Sequence, residues 1–116
     1  MEKILMIERR DILLVPFPFS DQSGRKVRPV VVISNNDFNN HSEDVIVLGV
    51  TSNISKDRYS VILNNNKLDE GKLLTECCIK VENILRLDKS LIVKKIGKIK
   101  EDTVKNAISR FFGIVN

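Results

Sequence analysis

Short runs rich in Val, Ile and Leu recur along the chain at residues 12–17, 27–34, 45–51, 59–63 and 77–81, each bounded by Asn, Asp, Ser, Gly or Pro. Runs of that length and β-branched content read as strands. The polar segments between them are too short to hold crossover helices, so the strands are expected to pair antiparallel and curl into a small barrel. Residues 91–99 are ambiguous, because Val93, Ile96 and Ile99 are spaced by three while the length and Gly97 suit a strand; a strand is the reading adopted. Beyond them Val104, Ala107, Ile108, Phe111 and Phe112 fall at i, i+3, i+4, i+7 and i+8, the apolar stripe of a helix. Glu101 and Asp102 stand near its positive end, and the helix is predicted to stop before Gly113. The fold class expected is mainly β, an antiparallel barrel with a C-terminal helix.

The Asn-rich patches 35–40 and 64–66 read as loops, and the chain shows no repeat, low-complexity tract or linker-like break. One domain spanning 1–116 is expected. Pro16 and Pro18 bracket Phe17 and cannot donate to a sheet ladder, which places that stretch at a strand end before the loop SDQSGRK.

Lysine and arginine outnumber aspartate and glutamate by 19 to 15, and the resulting +4 favours a polyanionic partner without singling one out. Cys77 and Cys78 are neighbours whose side chains alternate across a strand, so they are poorly placed to bridge each other, and no CxxC metal spacing exists. A reducing, cytoplasmic compartment is expected. The opening MEKILMIERR lacks the apolar core of a signal peptide, and no apolar run reaches the roughly 18 residues needed to span a bilayer. The sole histidine, His41, has no second histidine or cysteine at ligand spacing, so neither a metal nor another cofactor is expected.

Four groups of residues carry potential chemistry. Arg28 precedes Pro29, which holds it extended at the start of the strand VRPVVVIS, and its guanidinium offers a planar fork of donors that matches a phosphate. Alone, an arginine at a strand start is ordinarily a solvated charge. Thr51 and Ser52 close the strand VIVLGVT, where hydroxyls usually bond local backbone. Lys80, Glu82 and Asn83 lie on ECCIKVENI, and a period of two puts Lys80 and Glu82 on one face, as a surface ion pair or as a proton-transfer and phosphate-holding pair. Ser20, Arg25 and Lys26 belong to the first loop, where a basic rim beside Arg28 would track a nucleic-acid backbone. Phe17 and Phe19, ordinarily core or loop anchors, are the aromatic candidates for stacking on bases.

The string RRDILLVPFPFSDQSGRKVRPVVVISNN, followed by VIVLGVTSNI, VENILRLDKS and the helix VKNAISRFFGI, resembles the MazF/PemK toxin family in order and spacing from Arg9 to Ile114. The resemblance implies an SH3-like, CcdB/MazF-type barrel that forms a homodimer and cuts single-stranded RNA without a metal, under the control of a cognate antitoxin. It carries the catalytic arginine of the RP strand onto Arg28 and the catalytic Thr/Ser onto Thr51, with Ser52 beside it. The basic and acidic residues of the PemK branch fall on Lys80 and Glu82, which replace an Arg and an Asp. An arginine that members often carry after the position of Ile84 is replaced by Leu85, with Arg86 following, so that the cation moves to the other strand face unless a bulge intervenes. An arginine is a poor base at neutral pH whereas a carboxylate is a usual one, which makes Glu82 the candidate base and Arg28 or Lys80 the phosphate clamp and acid. Two other readings stay open: a CcdB-like toxin that grips DNA gyrase, and a family member that has lost cleavage.

Overall fold

The computed structural model describes residues 6–16 and 27–116. Seven strands, β1 (Asp11–Pro16), β2 (Val27–Val32), β3 (Asp44–Thr51), β4 (Ser60–Leu63), β5 (Leu68–Gly71), β6 (Cys77–Asp88) and β7 (Lys94–Ile99), join helices α1 (Asn36–His41) and α2 (Glu101–Val115). The strands form one curled antiparallel sheet in the order β4-β6-β3-β2-β1-β7-β5, a half-barrel whose two edges, β4 and β5, do not pair with each other.

Strict alternation along the central strands sorts the core into two layers. Ile12, Val31, Leu48, Val50, Ile79 and Ile99 pack on one face against Val104 and Ala107 of α2. Leu13, Val15, Val30, Val32, Val45 and Val47 pack on the other with Ile7 and Leu87. Because both faces are covered, β2 and β3 read as nearly unbroken apolar runs rather than as alternating ones. No described helix is long and apolar enough to cross a membrane.

Four expectations are corrected. The Asn-rich patch is not a loop but helix α1, capped by the Asn35 side chain, which accepts from the Phe38 amide at 2.8 Å. His41, expected in that loop, ends the helix, its Nδ1 2.8 Å from the Asp37 carbonyl oxygen. Helix α2 runs through Gly113 to Val115, since Gly113 lacks the positive φ that a stop would need and the Asn116 amide continues the ladder to the Phe112 carbonyl at 2.9 Å. The strand read as 77–81 extends to Asp88, because pairing with β3 carries it past its polar residues. Strand β5, LDEG, has no apolar run to announce it and forms a charged edge against β7. Its Gly71 has φ +85°, and an added Cβ would lie 2.2 Å from the Ile96 carbonyl oxygen, so only glycine lets the two strands close. The segment 91–99 is a strand from Lys94 onward, preceded by a 3-10 turn over Lys89–Leu91.

Candidate functional site

The register of the sheet brings together residues far apart in sequence. Strands β2 and β3 pair Val30 with Gly49 and Val31 with Leu48, and two further steps in that register set Arg28 opposite Thr51. On the other side of β3, Thr51 faces Cys78 and Gly49 faces Lys80, while Lys80 also pairs with Ser60 of β4. Cross-strand partners share a face. Arg28, Thr51, Gly49, Lys80 and Ser60 therefore occupy one patch, at the end of the sheet where β2 begins and β3 ends.

A bulge in β6 completes it. One step on β3, from Leu48 to Gly49, spans four on β6, from Ile84 to Lys80, leaving Val81, Glu82 and Asn83 without counterparts. Val81 stays in the core, while Glu82 and Asn83 are exposed. Asn83 comes over Gly49, whose absent side chain makes room for it: a Cβ on Gly49 would stand 3.2 Å from the Asn83 Cβ. Bulges of this kind re-aim side chains beside functional sites.

Lys80 and Glu82 share a face as their spacing predicts, with Nζ 3.4 Å from Glu82 Oε2. A second carboxylate, Asp57, lies nearer at 3.1 Å and gives the ammonium its strongest hydrogen bond, which raises the Lys80 pKa against the opposing effect of partial burial. Asp57 is itself held far below the ordinary carboxylate range by hydrogen bonds from the Ser55 hydroxyl, Lys80 and the Tyr59 amide. Sequence reasoning missed Asp57, since a turn signal in SKDRYS marks the loop but says nothing of a lysine 23 positions later. The Thr51 hydroxyl oxygen accepts from the Asn53 amide at 3.1 Å, which leaves its proton available to donate.

A cavity of about 630 Å³ opens at the same end of the sheet, with Arg28, Ser52 and Lys72 among apolar walls of Leu14, Val27, Pro29, Val50 and Leu73. Cys77 also lines it, and burial, ahead of the neighbouring Cys78 and Glu76, pushes its thiol pKa up. Both cysteines are free. Among the described residues no three His, Cys, Asp or Glu are grouped to hold a metal. Of the sequence-derived candidates, Arg28, Thr51, Lys80, Glu82 and Asn83 converge on one patch and Ser52 lines the adjoining cavity, whereas Phe17, Phe19, Ser20, Arg25 and Lys26 lie outside the described residues. Arg86 is not part of the patch: the bulge precedes Ile84 and leaves the Leu85/Arg86 exchange in place, so Arg86 pairs with Asp44 at 2.5 Å, at the opposite end of β3 from Thr51.

The model of the PemK-like, MazF-like toxins of type II toxin-antitoxin systems matches residues 8–112. An endoribonuclease MazF of Staphylococcus epidermidis is 34% identical over 117 residues, covering 96% of this chain and 95% of that protein. In fold the chain is similar to MazF of Deinococcus radiodurans, with a TM-score of 0.78 at 15% identity over 97% of this chain and 98% of that one. It is also similar to a mycobacterial endoribonuclease solved with its cognate antitoxin, with a TM-score of 0.75 at 18% identity over 94% of each chain. The chain belongs to the PemK-like, MazF-like toxin family of type II toxin-antitoxin systems.

Proposed function

We propose that this protein is a metal-independent, sequence-specific endoribonuclease toxin that cuts single-stranded RNA and is neutralised by a cognate antitoxin. The observation that carries the reading is the patch itself. A guanidinium (Arg28) and a hydroxyl (Thr51) stand opposite each other on adjacent strands, with a cation–carboxylate pair (Lys80, Glu82) on the next strand of the same face. Such a set suits attack of an RNA 2′-hydroxyl on its own adjacent phosphate, which forms the 2′-O–P bond, breaks the P–O5′ bond and leaves a 2′,3′-cyclic phosphate and a 5′-hydroxyl. Arg28 and Thr51 donate to the phosphate oxygens as charge builds on them. Glu82 takes the proton of the 2′-hydroxyl, and Arg28 or Lys80 serves the leaving oxygen. Ser52, Asn83 and the first-loop residues Ser20, Arg25 and Lys26 hold the strand and its bases.

The antitoxin in this reading lays an acidic and apolar segment over Arg28 and the cavity, whose walls are apolar and whose cations are Arg28 and Lys72. The working unit is a homodimer, as the family resemblance implies. One experiment tests the chemistry: replace the ribose on the 5′ side of the cut by deoxyribose, with EDTA present throughout. Cleavage should vanish while binding persists. Cutting of the deoxy strand, or products with 5′-phosphate ends, would overturn the mechanism, and intact RNA under all conditions would return the cleavage-deficient reading.

A further inference from the structure

The loop between β3 and β4 contributes a carboxylate that the proposed chemistry does not use. Asp57 Oδ2 accepts from Ser55 Oγ at 2.6 Å, Lys80 Nζ at 3.1 Å and Ser60 Oγ at 3.1 Å. Its Oδ1 accepts from the amides of Tyr59 and Ser60, both at 2.9 Å. With its lone pairs filled by the protein, this carboxylate is not placed to take a proton from a substrate. It is placed to fix a cation.

Lys80 is that cation. Its ammonium has three protons and three acceptors within reach, Asp57 at 3.1 Å, Ser60 Oγ at 3.4 Å and Glu82 at 3.4 Å, and its side chain is 19% exposed. Glu82 and Asp57 are equally exposed, at 45% and 44%; what distinguishes Glu82 is that its contact is the 3.4 Å one to Lys80 whereas the Asp57 oxygens are filled, and the cluster of one cation and two anions carries a net charge of −1. We infer that Asp57 is a positioning residue: by anchoring Lys80 from the loop it leaves Glu82 as the carboxylate free to accept a proton. This rests on the reading of Glu82 as base given above. Without the Asp57 charge, Lys80 would pair with Glu82 alone and compete with the 2′-hydroxyl for its lone pairs.

Asp57→Asn separates this role from a merely structural one, because an asparagine carbonyl still accepts from the Tyr59 and Ser60 amides and keeps the turn. The kcat on a cleavable RNA should fall about tenfold, less than the roughly 100- to 10,000-fold that acid–base catalysis supplies, because Glu82 is hindered rather than removed. Affinity for the same RNA with one deoxyribose at the cut should stay within about threefold, as for an exposed charge change at ordinary salt. On a Lys80→Gln background the same substitution should add nothing to the loss of kcat, since the two residues act as one unit. Independently of any RNA, the Lys80 ammonium signal in 15N NMR, which sharpens as its protons are held, should weaken and shift in Asp57→Asn, where the nearest of its acceptors loses its charge. Ser55→Ala, which removes a single donor from Asp57, should show the same kcat signature at about two- to threefold and replaces Asp57→Asn if that variant does not fold. An unchanged kcat, an effect that multiplies fully on the Lys80→Gln background, or a parallel loss of kcat, affinity and Tm would overturn the inference. So would an ammonium signal unchanged from that of the wild-type protein. If the wild-type protein cut no RNA, the NMR arm alone would still decide whether Asp57 anchors Lys80.

Discussion

Gly49→Ala tests whether the bulge of β6 belongs to the working site. The new Cβ would lie 3.2 Å from the Asn83 Cβ, 3.6 Å from its Nδ2 and 3.8 Å from its carbonyl oxygen. Carbon atoms pack comfortably at about 3.5–4.0 Å, so Asn83 must retreat by about 0.3–0.8 Å. The tight contact falls on the Asn83 Cβ, which is tied to the backbone, and so the bulge moves with Asn83, carrying Glu82. Overpacking of this kind costs about 1–3 kcal/mol. Against it stands about 0.4–1 kcal/mol from restricting the unfolded chain, for a net loss of about 0–2.6 kcal/mol. That leaves a folded protein whose Tm is lowered by a few degrees per kcal/mol. Cleavage should suffer more, because a misplacement of about 1 Å can cost about 100-fold in rate; a loss of at least about tenfold is expected on a fluorogenic single-stranded RNA. Gly113→Ala is the control, since its Cβ meets only Tyr59 at 3.8 Å, and as a helix position it should gain up to about 1 kcal/mol without touching the rate. Wild-type cleavage by Gly49→Ala would refute the placement of Glu82 and Asn83 in the site.

Arg28→Ala should retain its fold yet lose at least about 100-fold in cleavage rate, the scale of removing one preorganised donor, with Thr51→Ala losing less because a neutral hydroxyl stabilises charge more weakly; single-turnover rates that reverse this order would reassign the two roles. Arg10 holds φ +85° while its guanidinium reaches Asp69 at 2.7 Å, the Ile99 carbonyl at 2.9 Å and Glu101 at 3.5 Å, so Arg10→Ala loses those contacts and keeps the strain. Arg10→Gly loses the contacts and relieves about 1–2 kcal/mol of strain, against about 0.4–1 kcal/mol from the freer unfolded chain, and should melt as the more stable of the two by about 1 kcal/mol; a less stable Arg10→Gly would remove strain from the account.

The strands of the sheet were legible because Val, Ile and Leu runs bounded by polar residues need no tertiary information, and Arg28 and Thr51 stood out at the ends of two such runs. What was illegible depended on partners. Strand β5 exists because β7 offers it an edge, and β6 continues past Lys80, Glu82 and Asn83 because β3 pairs with it as far as Asp88. Helix α1 could have been read from Asn35, since asparagine is a favoured N-cap residue, but the density of asparagines suggested a loop. Asp57 left no readable trace at all. Its link to Lys80 follows from the way the loop after Thr51 returns to pair Ser60 with Lys80, a contact across 23 residues. The two cysteines, by contrast, were read correctly as unbridged from their adjacency alone.

The register also explains why a glycine stands at the centre of the patch. Arg28 on β2 and Lys80 on β6 flank β3 on either side, about 12 Å apart, two strand spacings across and two residues along. A phosphate held between the reach of Arg28 and the reach of Glu82 must therefore sit over β3. The β3 residues at that end of the face are Thr51, which offers a hydroxyl, and Gly49, which offers no side chain, with Val47 and Val45 buried beyond them. A larger residue at 49 would fill the space where the scissile phosphate belongs in the proposed mechanism, besides displacing Asn83. In the proposed mechanism the phosphate oxygens would face the β2 side, where Arg28 stands, and the 2′-hydroxyl the β6 side, where Glu82 must come within about 3 Å of the oxygen whose proton it takes. The extra residues of the β6 bulge are what carry Glu82 and Asn83 toward β3. A regular strand would pair each residue of β6 with one of β3, Glu82 would fall opposite Val47 over the buried layer of Val45 and Leu87, and its charge would be lost to the core. In the proposed mechanism the bulge, which no residue pattern announces, is what sets Glu82 beside the phosphate for proton transfer.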